Sequence, residues 1–166
     1  MEDTTMPRIT SCLWFDDQAE EAANFYVSIF PNSKVTAVER YPMDTSEAGK
    51  KAGEVMTVTF ELDGMPYMGL NGGPIFKFDE AISFVIDCDD QAEVDRYWDA
   101  LLAGGGQESV CGWLKDKFGL SWQVVPRQLI ELTTGPDKEK AARVFAAMMK
   151  MVKLDVAQLQ AAAEGK

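Results

Sequence analysis

The chain runs through one hydrophobic–polar pattern twice. Ile9-Thr10-Ser11-Cys12-Leu13-Trp14-Phe15 is a short apolar run of strand character. It is followed by Asp16-Asp17-Gln18-Ala19-Glu20, after which Ala19, Ala22, Ala23, Tyr26, Ile29 and Phe30 recur at the spacing of one helix face. Ala81 to Cys88 is a second strand-like run. It leads into the same pentapeptide, Asp89-Asp90-Gln91-Ala92-Glu93, and into a matching stripe of Ala92, Val94, Tyr97, Trp98, Leu101 and Leu102. The pentapeptide is therefore expected to start a helix in both places. An aspartate there can accept the first free N–H groups, and the glutamate three residues after Asp17 or Asp90 completes a capping box. Carboxylates also suit the positive end of the helix dipole. The first helix is expected to stop at Phe30-Pro31-Asn32 and the second at Gly104-Gly105-Gly106, where glycine supplies the left-handed cap.

Each helix is followed by three strand-like segments. In the first half these are Lys34 to Tyr41, Glu54 to Leu62 and Met65 to Asn71, the last two joined by an Asp63-Gly64 hairpin signal. In the second half they are Glu108 to Lys115, divided near Gly112, and Leu120 to Val125. A polar loop, Pro42 to Gly53, lengthens only the first half, and Gly72-Gly73-Pro74 opens the linker. The pattern predicts an α+β fold: a duplicated βαβββ unit, residues 8–71 and 80–126, whose two curved mixed sheets build one cup. A C-terminal helical tail, 127–166, lies outside the duplication. There Ala141, Phe145, Met148, Met149 and Val152 form a helical stripe, and Asp155 starts a short helix to Ala163. The stripe needs a surface to bury against, in its own cup or on a second chain.

Composition narrows the chemistry. The 166 residues are 46 % hydrophobic and 26 % charged, ordinary for a soluble globular chain. The apolar runs fall far short of the roughly 20 residues that cross a bilayer, so no membrane partner is expected. The N-terminal MEDTTMPRIT has no apolar stretch of the kind a secretory leader carries. Three cysteines without paired spacing read as reduced thiols, which places the expected location in the cytoplasm. With 27 acidic and 16 basic residues the net charge is −11, and a nucleic acid would be repelled. Histidine is absent, so no imidazole can act as base, metal ligand or triad member.

The duplicated βαβββ unit resembles the vicinal oxygen chelate superfamily, the fold of glyoxalase, bleomycin-resistance protein and extradiol dioxygenase. Within it, CLWFDDQAEEAANFYVSIFPNS, LNGGPIFKF and CGWLKDKFGLSWQVVP resemble the PhnB-like branch, which is often labelled 3-demethylubiquinone-9 3-methyltransferase. The resemblance is read over nearly the whole chain, the methionine-rich tail included. In metal-dependent members, His, Glu or Gln side chains point into the cup from the first and last strand of each unit. Those places fall near Ser11, Tyr67, Ala81 or Ser83, and Gln123, and only Gln123 is a type used as a ligand. Metal binding is therefore not carried over. Many PhnB-like chains carry a histidine where this one has Ile75. The methyltransferase label implies S-adenosylmethionine, which needs a glycine-rich turn from strand to helix. LNGGP leads through a linker to a strand and AGGGQ follows a helix, so both read as turns and no cofactor is expected.

The same placement, with the alternation of strand side chains, sets Ser11 and Leu13, then Tyr67, Gly69 and Asn71, then Ala81, Ser83 and Val85, then Ser121, Gln123 and Val125 on the inner faces. Met68, Leu70, Trp122 and Val124 pack behind. The expected ligand-binding residues are Ser11, Tyr67, Asn71, Ser83, Trp113, Ser121 and Gln123, a small neutral wall suited to an organic ligand. Asn71 also reads as a turn cap, Trp113 as core, Cys111 as a buried inert thiol and Asp116 as a solvated turn. The functional expectation is a small-molecule-binding protein without metal chemistry, forming a homodimer. The alternative is an enzyme on a small or aromatic metabolite, a methyltransferase by label or a metal-dependent lyase or dioxygenase by superfamily.

Overall fold

The computed structural model describes residues 9–166. The N-terminal stretch read above for a leader, and the start of the first unit at residue 8, lie outside the described residues. The chain divides into two compact units, one ending at Lys77 and the other running from Phe78 to Lys166.

In the first unit β1 (Ser11–Phe15) leads into α1 (Ala19–Ile29), then β2 (Lys34–Arg40), β3 (Val55–Leu62) and β4 (Met65–Asn71). The strands form one mixed sheet in the order β1-β4-β3-β2, with β1 parallel to β4 and the other pairs antiparallel. The second unit repeats this. β5 (Ser83–Cys88), α2 (Gln91–Leu102), β6 (Gln107–Glu108), β7 (Trp113–Lys115) and β8 (Ser121–Pro126) give the order β5-β8-β7-β6, with β5 parallel to β8. The architecture is α+β and is built twice on the βαβββ plan.

Each helix covers one face of its own sheet. Ala19, Ala22, Ala23 and Tyr26 of α1 are fully buried against Val58 and Phe60 of β3. Val94, Tyr97, Trp98 and Leu101 of α2 are buried with Leu114, Trp122 and Val124. Removing each large side chain of this kind from water contributes about 1.5–3 kcal/mol.

The two pentapeptides start their helices differently. At the second, Asp90 accepts the N–H of Glu93 at 2.9 Å and Glu93 reaches back to the N–H of Asp89 at 2.7 Å, a capping box. At the first, the N-cap is Gln18, with no capping bond from its own side chain. Asp17 does not cap there. The N–H of Ala19 goes instead to Asn71 on β4, 2.8 Å away. The loop after β2 is not merely polar filler. Thr45 and Lys50 form a β-bridge, and the buried Lys50 ammonium donates to the carbonyl of Asp16 at 2.7 Å, pinning the loop to the end of β1.

The tail departs most from expectation. It holds a helix that the periodicity did not announce, α3 (Arg127–Thr133), seven residues with one buried side chain, Leu129. Then come α4 (Lys138–Met148) and α5 (Val156–Ala163), the latter capped by Asp155. The buried face of α4 is Val144, which joins Val125, Leu129, Met151, Leu154 and Leu159 in one cluster. The stripe read from the sequence is displaced by one position, and Phe145, Met149 and Val152 stay exposed. Gln91 ties the tail to α2: it donates to the carbonyl of Leu154 at 3.1 Å and accepts the N–H of Val156 at 2.7 Å. No helix among the described residues is long and apolar enough to cross a membrane.

Candidate functional site

The expected wall residues of the first unit share one face, but it is the face covered by α1. Leu13 and Phe15 are buried, and the parallel register pairs Ser11 with Tyr67, Leu13 with Gly69 and Phe15 with Asn71. This whole set faces α1. A Cβ on Gly69 would lie 3.1 Å from Ala19 Cβ, Tyr67 stacks on Phe60 at 5.6 Å, and Phe60 meets Tyr26 of α1. Asn71 is 4 % exposed and both ends of its amide are engaged, the oxygen accepting from Ala19 and the nitrogen donating to the carbonyl of Val55 at 3.1 Å. The inward placement of Ser11, Leu13, Tyr67, Gly69 and Asn71 is thus reversed. Period-two alternation allows either origin, and a shift of one residue exchanges the two faces entirely.

Cys12, Trp14, Met68 and Leu70 therefore occupy the face turned away from α1. Trp14 explains the paired glycines after β4. A Cβ on Gly72 would fall 2.2 Å from the indole, and the indole N–H donates to the carbonyl of Gly73 at 2.9 Å. Phe76 packs edge-on against the same ring at 4.8 Å. LNGGP is a seat for an indole.

In the second unit the expected alternation holds. Trp122 and Val124 lie under α2, and Ser83, Val85, Ser121 and Gln123 lie on the other face. Gln123 Nε2 donates to Ser83 Oγ at 2.9 Å. Trp113 is the register partner of Gln123 and Lys115 that of Ser121, so both belong to this face. Ser121 is 1 % exposed and its hydroxyl finds no partner. Together with Glu80, Gln107 and Trp113 it lines a cavity of about 160 Å³. Lys115 and Glu80 close an ion pair at 2.5 Å across it, and the lysine holds the Glu80 carboxyl below its ordinary range. Neither residue was singled out from the sequence. The alternation along β7 from Trp113 would have found Lys115; Glu80 sits in a loop and carries no such signal.

The turn after β7 is not solvated. Asp116 is 3 % exposed. Its Oδ1 accepts the N–H groups of Phe118 and Leu120, at 2.9 and 3.1 Å, and its Oδ2 accepts the Trp122 indole N–H at 2.9 Å. Cys111 is half-buried in the left-handed backbone region at φ 57°, its Sγ 3.8 Å from Met149 Sδ.

The donor set can be tested against the groups that the superfamily and the methyltransferase description imply. Of the four metal-ligand places, Ser11 and Tyr67 face α1, and Ser83 with Gln123 offers two neutral oxygens, the Ser83 hydroxyl already accepting from the Gln123 amide nitrogen. Transition metals favour imidazole, thiolate or carboxylate. Among the described residues no group of three His, Cys, Asp or Glu side chains is placed to hold an ion. For S-adenosylmethionine, the space beside Gly72 is filled by Trp14, a Cβ on Gly73 would lie 3.3 Å from the Ala48 carbonyl, and a Cβ on Gly106 would lie 2.8 Å from Leu102 Cα and from the Lys115 carbonyl. These residues fit neither group.

Comparison with known proteins places the chain. The family model described as 3-demethylubiquinone-9 3-methyltransferase matches residues 7–125. The tail, included in the resemblance read from the sequence, lies outside that match. A PhnB protein from Bacillus cereus, described as a 3-demethylubiquinone-9 3-methyltransferase, is 32 % identical. The match covers 72 % of this chain and 99 % of that one, with a TM-score of 0.63. A protein from Pseudomonas aeruginosa, 20 % identical with a TM-score of 0.58, shares the fold over 73 % of this chain and 98 % of its own. So does a fosfomycin resistance protein, FosX, from Listeria monocytogenes, crystallised with Mn(II) and sulfate: 13 % identical, TM-score 0.50, 72 % and 89 % covered. No curated protein matches the chain. The matched region contains both βαβββ units, and the chain belongs to the PhnB-like family described as 3-demethylubiquinone-9 3-methyltransferase.

Proposed function

We propose that this chain binds a small organic molecule, without metal chemistry, on the face of the second sheet turned away from α2. The observation that carries the reading is the Ser83–Gln123 pair, two neutral hydrogen-bonding side chains on a sheet face, beside Trp113 and the unpartnered Ser121 hydroxyl. Such a surface offers an aromatic or amphiphilic molecule one apolar wall and a few fixed polar contacts. Ser11, Tyr67 and Asn71 have no part in it, because they face α1.

The experiment is a screen of aromatic and amphiphilic compounds by thermal shift and ligand-observed NMR, followed by titration of the hits. Gln123→Ala and Ser83→Ala are each expected to weaken a hit by roughly 1–3 kcal/mol, the cost of a polar group left without its partner. A hit indifferent to both substitutions binds elsewhere and removes the site. Elemental analysis separates this reading from the enzymatic one. Stoichiometric, tightly held iron, manganese, nickel or zinc in the purified protein overturns the metal-free part, and methyl transfer from S-adenosylmethionine to a quinol would restore the activity in the family's description.

The proposal includes a homodimer. Phe145 in the last turn of α4, Met149 at its C-cap and Val152 in the bend that follows remain exposed in the single chain. A second copy would cover them through a two-fold contact.

A further inference from the structure

The cavity beside the Ser83–Gln123 pair has a polarity of its own. Lys115 projects from β7 on the same face as Trp113, and its register partner on β8 is Ser121. The Ser121 hydroxyl is enclosed and unpartnered, a state that disfavours folding unless something else completes it. Glu80 comes from the turn before β5. Its carboxylate lies 2.5 Å from the Lys115 ammonium while its side chain is 63 % exposed, against 33 % for the lysine. The less exposed partner is thus a fixed cation on a sheet, and the other is a carboxylate on a loop that can swing into water. The chain as a whole carries a charge of −11 and repels small anions. An anion that binds here must find a local cation, and Glu80 already occupies it.

We propose that Lys115 and Ser121 form an anchor for the carboxylate of a small aromatic acid, and that Glu80 fills this anchor in the free protein and competes with the ligand for it. The proposal rests on the binding face inferred above and adds the chemical class of its ligand. The acid's carboxylate takes the place of the Glu80 carboxylate at the lysine and accepts the Ser121 hydroxyl. Its ring lies toward Trp113, which lines the cavity and is the register partner of Gln123.

Benzoate and its neutral counterpart benzamide test this. Each is titrated at low ionic strength into the wild type, Glu80→Gln, Lys115→Met and Ser121→Ala, following the indole N–H signals by NMR, with thermal melts confirming that every variant is folded. Benzoate is expected to bind Glu80→Gln at least fivefold more tightly than wild type, and Lys115→Met at least tenfold more weakly than wild type. Benzamide is expected to show neither change. Equal benzoate affinity in wild type and Glu80→Gln, or unimpaired binding to Lys115→Met, overturns the proposal. Absence of benzoate binding to every variant does so too. Benzamide binding that depends on Gln123, without any preference for benzoate, removes the anion anchor and leaves the binding face standing. Should Ser121→Ala fail to fold, the Glu80 and Lys115 variants decide the matter alone.

Discussion

The side-chain oxygen of Asn71 accepts the backbone N–H of Ala19 at 2.8 Å, so the last residue of β4 caps the first turn of α1. The same amide donates to the carbonyl of Val55, and the carbonyl of Asn71 accepts the hydroxyl of Tyr41. The buried side chain thereby fixes the helix start and the beginning of β3, while the backbone carbonyl of the same residue holds the entry to the long loop. Asn71→Ala is expected to destabilise the protein by about 1–3 kcal/mol, the cost of buried groups left unpaired. Asp17→Ala, which removes no capping bond, should change stability by under about 0.5 kcal/mol. Denaturant unfolding of both variants checks this, and equal losses would return the cap to Asp17.

Asp116 organises the turn between β7 and β8 by accepting two backbone N–H groups and the Trp122 indole. Hydrogen bonds to an ionised acceptor are the stronger kind. Asp116→Ala is expected to cost about 2–4 kcal/mol. Asp116→Asn should recover part of this, since one oxygen can still accept from the backbone while its NH₂ confronts the indole N–H. Urea unfolding, with tryptophan fluorescence as the local reporter, gives both numbers.

Cys88 sets an alkaline limit on stability. Burial, with the nearby Glu93 and Asp87 carboxylates adding to it, pushes its thiol up to about 12 from an ordinary 9.0. The folded state holds the proton where the unfolded chain releases it. The stabilisation is complete below the unfolded value and is lost as pH rises from there toward the folded one. Wild-type stability is therefore expected to fall above about pH 9 more steeply than that of Cys88→Ala. Parallel slopes in the two proteins would show that other groups set the limit.

The exposed tail stripe makes assembly measurable. The wild type is expected to run as a dimer in sizing with light scattering at micromolar concentration. Phe145→Glu combined with Met149→Glu should give a monomer or an aggregate. A monomeric wild type removes the dimer, and an intact dimer in the double variant clears the tail of that role.

What the sequence determined on its own was local. Among the described residues, apolar periodicity located seven of the eight strands closely and four of the five helices; β6, only two residues long, emerged from dividing a longer run. The Asp90–Glu93 box was legible because its partners lie three residues apart. The duplication was legible because each unit repeats the same order of periods. On the second sheet the alternation of Ser83, Ser121 and Gln123 was also correct, since Trp122 and Val124 are the bulky residues that the helix must cover.

Tertiary structure decided the first sheet against that logic. Met68 and Leu70 look like the buried parity of β4, yet Gly69 takes the helix side because Ala19 approaches within 3.1 Å of where its Cβ would be. Close backbone approach selects the smallest residue, which hydrophobicity does not register. The contacts that fix the two sheets are equally remote in sequence. Asn71 meets Ala19, Trp14 meets Gly73, Gln123 meets Ser83 and Glu80 meets Lys115. Alternation states which residues share a face of one strand. Only the register between strands and the seat of the helix state which face it is, and those depend on packing between segments tens of residues apart.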